Sequence, residues 1–328
     1  MLSNHQFERA RRLALSLAGI QLVERHRELL ERRSRRLGIP TSTAFESMLA
    51  DAEAGEVVAT QTFLGLLTTK FTDFFRHPRH FEIAAQHAVQ AARIRGRADL
   101  WSAGTATGEE AWSMAMALIE AFGSDDPPAS VLATDVDVEA LGIAERAVYS
   151  ELALKTLSEE RRGRFLCSES LECCGSTQRS VSNTPEAFES PAALRTQSGP
   201  AHAGPHSRTL ARHTSRRSNA ALFRVSPVVR RLVEFRPLNL AHTEWPVEGP
   251  FDVILCRNVL MYLDACHRYA VLERMASLLA PGALLLLDPT EHPAGAGHWF
   301  APTAEGVYSR RFVAVPTSRR YSELARHR

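Results

Sequence analysis

Short apolar runs that end in polar residues indicate the strands of an open α/β sheet. These runs occupy residues 99–103, 130–135, 251–256 and 283–287. The run at 251–256 is almost wholly apolar, which is typical of a strand buried on both faces. In such sheets the ligand binds beyond the carboxyl ends of the strands, so the polar residues after each run are the candidate site.

The first run continues through a glycine-containing loop, residues 104–108, directly into a segment with helical periodicity. Six apolar residues fall on one face of that helix and predict that it is amphipathic: Ala111, Met114, Ala115, Leu118, Ile119 and Phe122. A strand, a glycine turn and a helix build a nucleotide pocket in many α/β sheets. The same pattern also fits a tight loop and a capped helix without any ligand.

The chemistry of this loop disfavours a dinucleotide. Gly104 and Gly108 are separated by three residues, whereas the dinucleotide fingerprint is Gly-x-Gly-x-x-Gly. Glu109 and Glu110 follow at once, and acids suit the positive end of a helix dipole but repel phosphate. They favour a ligand with hydroxyl groups and positive charge, such as S-adenosylmethionine (SAM).

The second and third strands end in further candidate ligand contacts. Asp135 closes the second strand, where an acid can accept hydrogen bonds from ribose hydroxyls. Asp135 and Asp137 could instead form a carboxylate pair for a hard cation, although Asp137 also suits the cap of a helix that starts near Val138. Arg257 and Asn258 follow the third strand, either as ligand contacts or as a structural turn.

Residues 1–85 are predicted to form a small all-helical N-terminal domain. Residues 25–36 form a basic helix, which is either a solvated surface balanced by glutamates or a docking surface for an acidic partner. Residues 45–54 form another helix, and Gly55 is placed to end it. The aromatic-rich segment 66–76 follows, and its rings are expected to pack between the helical and α/β domains.

Residues 86–318 are predicted to form the α/β domain, followed by a C-terminal tail at 319–328. The domain is interrupted by residues 167–221, which are rich in Ser, Thr, Arg, Pro and Gly and contain one aromatic residue, Phe188. Such a segment buries too little apolar surface to offset its ordering entropy, so we expect a disordered insertion. Its arginines could contact RNA or acidic surfaces, but a solvated linker is the simpler interpretation.

Composition narrows the class of protein. The chain has 328 residues, a net charge of +2 and five cysteines whose spacing fits no zinc pattern. All basic residues except Lys70 and Lys155 are arginines, and the low net charge argues against nucleic-acid binding. No apolar run approaches the roughly 20 residues that cross a membrane, and the N-terminus lacks a signal-peptide pattern. We therefore expect a cytoplasmic, monomeric protein without metal or membrane insertion.

Five ordered segments resemble the chemotaxis receptor methyltransferase family, CheR. The family motifs are Thr-Thr-Asn-x-Thr-x-Phe-Phe-Arg, Trp-Ser-Ala-x-x-x-x-Gly-Glu-Glu, Ala-Thr-Asp-x-Asp, Asn-Leu and Phe-Asp-x-Ile-x-Cys-Arg-Asn-Val-x-x-Tyr. Their counterparts here are residues 68–76, 101–110, 133–137, 239–240 and 251–262. The resemblance implies a doubly wound class I SAM-dependent methyltransferase fold that forms glutamate methyl esters on chemoreceptors. The output would be chemotaxis or another sensory pathway.

The resemblance also implies roles for individual residues. The residues expected to contact the cofactor are Lys70, Thr72, Arg76, Glu110, Asp135, Asn239, Leu240, Arg257 and Asn258. Arg76 and Tyr262 would lie nearest the chemistry. Arg33 and Arg36, on the basic helix, would face the helical bundle of the receptor.

Three features depart from the family pattern. Lys70 replaces a cofactor-contacting asparagine, and its ammonium would be unfavourable beside a sulfonium. The Pro-Gly-Gly turn is Pro281-Gly282-Ala283, and Gly-x-Ser-Glu is Asp288-Pro289-Thr290-Glu291. The insertion lies at a small antiparallel β subdomain, which we expect to be disrupted, with 223–225 and 233–235 as its remaining strands.

Two other functions fit part of the sequence. A nucleic-acid base methyltransferase often carries Asp/Asn-Pro-Pro-Tyr/Phe after its fourth strand, where this chain has Arg257-Asn258-Val259-Leu260. A non-catalytic SAM-binding regulator would explain Lys70 and the interrupted subdomain. For an enzyme, the glutamate acceptor is already ionised at pH 7 and needs no general base, and Arg76 could hold its carboxylate.

Overall fold

The computed structural model describes residues 2–68, 72–168 and 221–311. The chain begins with four helices: α1 (Asn4–Ala18), α2 (Arg27–Arg36), α3 (Ser42–Glu53) and α4 (Val57–Leu67). Three of these helices, α1, α3 and α4, begin after a residue whose side chain caps the helix. Ser3 forms a capping box with Gln6 before α1, and Thr41 and Glu56 accept backbone N–H groups before α3 and α4. The predicted helices of this region are therefore present, and α2 starts after a short 3-10 turn.

The remaining elements build the α/β sheet and the helices on its faces. In chain order they are α5 (Pro78–Arg95), β1 (Ala98–Ala103), α6 (Glu109–Phe122), β2 (Ala129–Asp135), α7 (Val138–Arg146), β3 (Val148–Ser150), α8 (Glu159–Phe165), β4 (Leu166–Ser168), β5 (Leu222–Val225), α9 (Pro227–Arg230), β6 (Val233–Pro237), β7 (Phe251–Leu255), α10 (Ala265–Leu278), β8 (Leu279–Leu286), β9 (Phe300–Ala304) and β10 (Val307–Arg310).

The main sheet has seven strands in the order β6-β2-β1-β7-β8-β10-β9. The first five are parallel, whereas β10 pairs antiparallel with β8 and β9. From β1 the chain adds β2 and β6 on one side and then β7 and β8 on the other, so the order reverses between β1 and β7. A reversal of this kind opens a crevice at the carboxyl edge of the sheet.

Helix α6 departs from the amphipathic helix that its spacing predicts. Every residue from Glu109 to Ile119 is buried, including the residues off the apolar face. The helix packs against α5 and α9 as well as against β2, so neighbours cover it on several sides. Alanine, serine and methionine fill its nominally polar face, and the apolar stripe alone could not reveal this burial.

The small antiparallel sheet is present and has three strands in the order β3-β5-β4. Residues 223–225 form part of β5, as expected. The expectation for 233–235 is wrong, because these residues belong to β6 and pair in parallel with β2. Cys167 and Ser168 pair with Arg224 and Phe223, so both are strand residues rather than part of an insertion. Residues 169–220, the bulk of the expected insertion, lie outside the described residues, as does the tail 319–328.

Helix α5 crosses the domain boundary that we expected at residue 85. It packs on α6, β1 and β7, so we place the end of the helical region between α4 and α5. The core of the first four helices is continuous with the core beneath α10, through residues such as Trp101 and Leu263. Phe74 and Phe75 pack instead in the core on the other face of the sheet. The expectation that these two rings fill the space between the domains is therefore wrong.

Within the described ranges, none of the helices has the length and apolar character that would let it span a bilayer.

Candidate functional site

A cleft of about 1030 Å³, which includes the part open to solvent, lies at the carboxyl edge of the sheet beside the reversal between β1 and β7. Nine of the residues expected in the site line this one cleft: Thr72, Arg76, Glu110, Asp135, Asn239, Leu240, Arg257, Asn258 and Tyr262. Lys70 lies outside the described residues.

Glycine is required at both ends of the loop after β1. Gly104 has a φ of +86°, and a Cβ there would stand 2.3 Å from Cγ2 of Val259. Gly108 has a φ of +96°, and its Cβ would lie 2.7 Å from that of Ala144. Positive φ and close approach both favour glycine, so the loop keeps a shape that other residues would strain. The backbone of the loop consequently forms one wall of the cleft.

Asp135 holds this loop from the neighbouring strand. One carboxylate oxygen accepts the N–H of Ala106 at 2.8 Å, and the other accepts the N–H of Asp137 at 2.9 Å. Burial raises the pKa of Asp135, and these backbone hydrogen bonds counteract part of that rise. Each oxygen retains acceptor capacity toward a ligand, because a carboxylate oxygen has two lone pairs.

Asp137 has a structural role. Its Oδ1 accepts the N–H of Ala140 at 3.0 Å, which confirms the expected cap of α7. Its Oδ2 accepts the hydroxyl of Thr68 at 2.9 Å and so ties the end of α4 to the sheet. These contacts favour the capping interpretation over the cation pair. Across the described ranges, no group of three or more His, Cys, Asp or Glu residues has the arrangement of a metal site.

Glu110 and Arg257 form a buried ion pair at the floor of the cleft. The Nε of Arg257 donates to Oε2 of Glu110 at 2.6 Å, and the Ser102 hydroxyl donates to Oε1 at 2.7 Å. The side chains of Arg257 and Glu110 are 4% and 9% exposed. Breaking one side of such a pair leaves an uncompensated buried charge, so the pair fixes β7 against α6.

The segment between α4 and α5 brings Arg76 to the cleft. The N–H of Phe75 donates to the Ser113 hydroxyl at 2.8 Å, and the carbonyl of Arg76 accepts from Arg257 at 2.5 Å. Phe75 and His77 both have positive φ, 51° and 60°, on either side of Arg76. Non-glycine residues with positive φ persist where the surroundings determine the backbone strongly. The main chain at Arg76 is therefore firmly placed, and its side chain reaches the cleft.

The turn after β7 is held by a buried acid that the sequence did not identify. The Glu291 carboxylate accepts the N–H groups of Asn258 at 2.8 Å and Met261 at 3.0 Å. Asn258 has a φ of 59°, a conformation that asparagine adopts more easily than most residues. Burial raises the pKa of Glu291. Its position in Asp288-Pro289-Thr290-Glu291, just after a predicted strand, was the only sequence signal for this role.

The N-terminal helices close the other side of the cleft. The side-chain amide of Asn239 donates to the carbonyl of Leu17 at 2.6 Å, and Gln21 donates its N–H to the carbonyl of Tyr262 at 2.9 Å. Ala18 and Ile20 thus reach the cleft wall, together with Leu67 at the end of α4. Sequence patterns do not reveal such long-range contacts, and these three residues were missed.

The two arginines expected to face a partner differ in environment. Arg36 is exposed on α2, together with Arg32 and Arg35. Arg33 is half-buried and donates to the carbonyl of Leu66 at 2.6 Å. Burial lowers the pKa of Arg33, and an electrostatic interaction with Tyr262 opposes that change. Arg33 therefore links α2 to the region of the cleft, whereas Arg36 faces solvent.

The cleft has the chemistry that SAM requires. SAM carries an amine, a sulfonium, ribose hydroxyls and an adenine ring. Buried carboxylates at Glu110 and Asp135 suit the positive groups and the hydroxyls, while Val136, Leu238 and Leu240 offer an apolar surface for the ring. A side chain at position 104 would collide with Val259, so glycine there leaves the backbone to form this part of the cleft wall. The residues present therefore fit the cofactor.

The fold and this cleft define a class I SAM-dependent methyltransferase. Residues 70–176 and 205–308 match the family model described as "CheR methyltransferase, SAM binding domain". The chain belongs to the CheR methyltransferase family, and SAM is its cofactor.

Three curated relatives show how far this similarity extends. Chemotaxis protein methyltransferase 2 of Pseudomonas aeruginosa is 32% identical over 94% of this chain and 93% of its own length. The chemotaxis protein methyltransferase of Salmonella typhimurium is 32% identical over 94% and 91%. That of Escherichia coli is 30% identical over 94% and 91%.

Proposed function

We propose that this protein is a SAM-dependent O-methyltransferase that forms methyl esters on glutamate side chains of chemoreceptors. The observation that carries the proposal is the firmly placed Arg76 at the edge of a SAM cleft, where it can hold an acceptor carboxylate. The relatives are named chemotaxis protein methyltransferases, which supports a role in chemotaxis or a related sensory pathway.

The residues of the cleft would divide the binding of SAM between them. Asp135 would accept hydrogen bonds from the ribose hydroxyls, because its carboxylate is rigidly held and buried. Glu110 already accepts from Ser102 and Arg257, so it would contribute through its charge and remaining lone pairs. Asn239, Leu240, Asn258 and Thr72 would complete the enclosure. When bound, SAM supplies an electrophilic methyl group on its sulfonium.

The acceptor needs placement more than activation. A glutamate carboxylate is ionised at neutral pH and is a nucleophile without a general base. The Arg76 guanidinium would hold the carboxylate by charge-assisted hydrogen bonds, and Tyr262 would pack beside it. Holding two reactants in line can contribute about 7–11 kcal/mol toward the barrier. The protein would also exclude water from the carboxylate while retaining its charge.

Helix α2 is the surface that we propose for the receptor. Its exposed arginines include Arg36, and Arg33 on the same helix donates to the carbonyl of Leu66 near the cleft. Acidic surfaces of a receptor helical bundle would complement this charge. Arg36→Glu should therefore raise the KM for a receptor fragment without changing the affinity for SAM, and an unchanged KM would argue against docking through Arg36.

The product of the reaction distinguishes this proposal from its alternatives. Labelled SAM should transfer methyl groups to a receptor cytoplasmic fragment, and mild alkali should release them as methanol because they are esters. A fragment whose acceptor glutamates are changed to alanine should take up no label. Tight SAM binding without transfer would favour a non-catalytic regulator. Label in nucleic acid would favour a nucleic-acid methyltransferase.

A further inference from the structure

Asp288 lies immediately beyond β8 and is nearly fully buried, with its side chain 6% exposed. It occupies the first position of the Gly-x-Ser-Glu motif of the family, where this chain has Asp288-Pro289-Thr290-Glu291. A buried carboxylate at this position therefore distinguishes this chain from the family pattern. None of the roles assigned so far uses it.

One oxygen of Asp288 is fixed by hydrogen bonds. The Oδ1 accepts the N–H of Thr290 at 3.1 Å and the hydroxyl of the same residue at 2.7 Å. The backbone N–H of Asp288 donates to Glu291 at 3.3 Å, so the residue is fixed at both ends. These bonds hold the carboxylate in a fixed orientation.

The other oxygen faces the side chains of Arg76 and His77. The Oδ2 lies 3.7 Å from Nη2 of Arg76 and 3.5 Å from Nε2 of His77, and it accepts no hydrogen bond. Burial tends to raise the pKa of Asp288, but hydrogen bonds from Thr290 and Asn258, together with the charge of Arg76, lower it overall. The carboxylate is therefore the charged partner that the fold directs at Arg76.

We propose that Asp288 is a positioning residue that directs the Arg76 guanidinium toward the acceptor carboxylate. The main chain at Arg76 is held by Arg257, so the direction of its side chain depends on the groups around the guanidinium, and the Asp288 carboxylate is one of them. The 3.7 Å separation exceeds a charge-assisted hydrogen bond, so Asp288 acts on Arg76 through charge. This inference rests on the proposed function, because it assumes that Arg76 holds the acceptor.

A double-mutant cycle on the full-length protein tests the assignment. Asp288→Asn keeps the size of the side chain and the acceptor for Thr290 but removes the charge. It should lower kcat for methyl transfer to a receptor fragment about fivefold, or about 1 kcal/mol of barrier, with the Kd for SAM unchanged. In an Arg76→Ala background, the same change should have no further effect. Residues in contact show such coupling, whereas independent structural effects add.

Asp252→Asn is the matched control. Asp252 is also buried and paired with an arginine, Arg95, but it lies near the amino end of β7, away from the cleft. It should not couple to Arg76. As a second measurement, NMR relaxation of the Arg76 Nε–Hε group should show greater mobility in Asp288→Asn than in the wild type and in Asp252→Asn.

The outcomes separate the two claims. Equal effects of Asp288→Asn in the wild-type and Arg76→Ala backgrounds, or unchanged Arg76 relaxation, would overturn the positioning role and leave the proposed function intact. An increase in kcat in Asp288→Asn would overturn it as well. A wild-type protein that binds SAM but esterifies no receptor glutamate would overturn the proposed function and the positioning role together.

Discussion

Glu109 and Asp135 are both buried carboxylates beside the loop after β1, but their surroundings differ. Asp135 accepts two backbone N–H groups, whereas the only side-chain donor to Glu109 in the described contacts is the hydroxyl of Thr107, at 2.6 Å. Burial, with a smaller contribution from the charge of Asp73, raises the pKa of Glu109 to about 7. The loop therefore has two buried carboxylates that differ in their hydrogen bonds. Backbone N–H groups compensate the burial of Asp135, whereas the burial of Glu109 is poorly compensated.

The raised pKa of Glu109 predicts a pH-dependent stability. The folded protein binds this proton more tightly than the unfolded chain, whose value is 4.5. The contribution is therefore fully present below pH 4.5 and is lost as the pH rises through about 7. Glu109→Gln mimics the protonated form, so its free energy of unfolding should exceed that of the wild type at pH 8 by on the order of 3 kcal/mol.

Urea unfolding of both proteins between pH 4.5 and 8 measures this difference. The difference in the free energy of unfolding should grow with pH and level off above pH 7. Glu139→Gln, in the exposed first turn of α7, is the control and should show no such growth. A difference between Glu109→Gln and the wild type that does not vary with pH would contradict the burial of an ionisable Glu109.

The position of Asp135 in the cleft predicts that its substitution weakens the binding of SAM. Asp135→Ala would remove the acceptor for the ribose hydroxyls and for the N–H groups of Ala106 and Asp137. Leaving buried donors without a partner costs about 1–3 kcal/mol, which corresponds to roughly a 5- to 150-fold weaker Kd. Calorimetric titration with SAM measures this change. An unchanged Kd in a folded Asp135→Ala protein would remove Asp135 from the binding site.

Among the elements, the strands were the most predictable from sequence. The strand that we expected at 251–256 is observed at Phe251–Leu255, and that expected at 130–135 at Ala129–Asp135. Apolar runs of this length, bounded by turn residues, favour strands over helices. The parallel pairing of β6 was missed because its residues, Val233–Pro237, alternate in character as an edge strand of either sheet would.

The pairing of β4 with β5 in the small antiparallel sheet indicates where residues 169–220 can be removed. Ser168 at the end of β4 pairs with Phe223 in β5, so the two ends of the segment are neighbours. Deleting residues 169–220 and joining the ends with a short Gly/Ser linker would convert the connection into a hairpin. The melting temperature should stay nearly unchanged, because the deleted segment has few core-forming residues.

Thermal unfolding of the shortened protein, with and without SAM, measures this effect. A deletion that also removes Cys167 and Ser168 takes away the residues of β4 that pair with β5, and it should lower the melting temperature. The comparison therefore separates loss of the strand from loss of the segment. A large drop for the 169–220 deletion alone would show that the segment stabilises the fold.

Across the whole molecule, the parallel sheet explains why much of the site could be foreseen. Parallel strands bring their carboxyl ends to one edge, so Asp135, Arg257 and Asn258 had to lie near one another. The positions of Arg76 and Tyr262 near the chemistry were predicted from the family resemblance. The wall residue Ile20 could not be foreseen, because its place depends on packing between distant segments. Asp288 follows the predicted run 283–287, but its approach to Arg76 depends on where the segment between α4 and α5 packs.

The central claim is that Arg76 holds the acceptor carboxylate beside the cofactor. Arg76→Ala should fold normally, since the backbone contact of Arg76 with Arg257 remains. Arg76→Lys should recover little activity, because an ammonium lacks the planar fork that holds a carboxylate at two points.

Single-turnover transfer of labelled methyl groups from SAM to a receptor fragment tests this claim most directly. Wild type, Arg76→Ala and Arg76→Lys should be compared at saturating SAM, with folding checked by circular dichroism. The account predicts at least a tenfold slower transfer in Arg76→Ala, equivalent to about 1.4 kcal/mol of barrier. Full activity in a folded Arg76→Ala protein would contradict it.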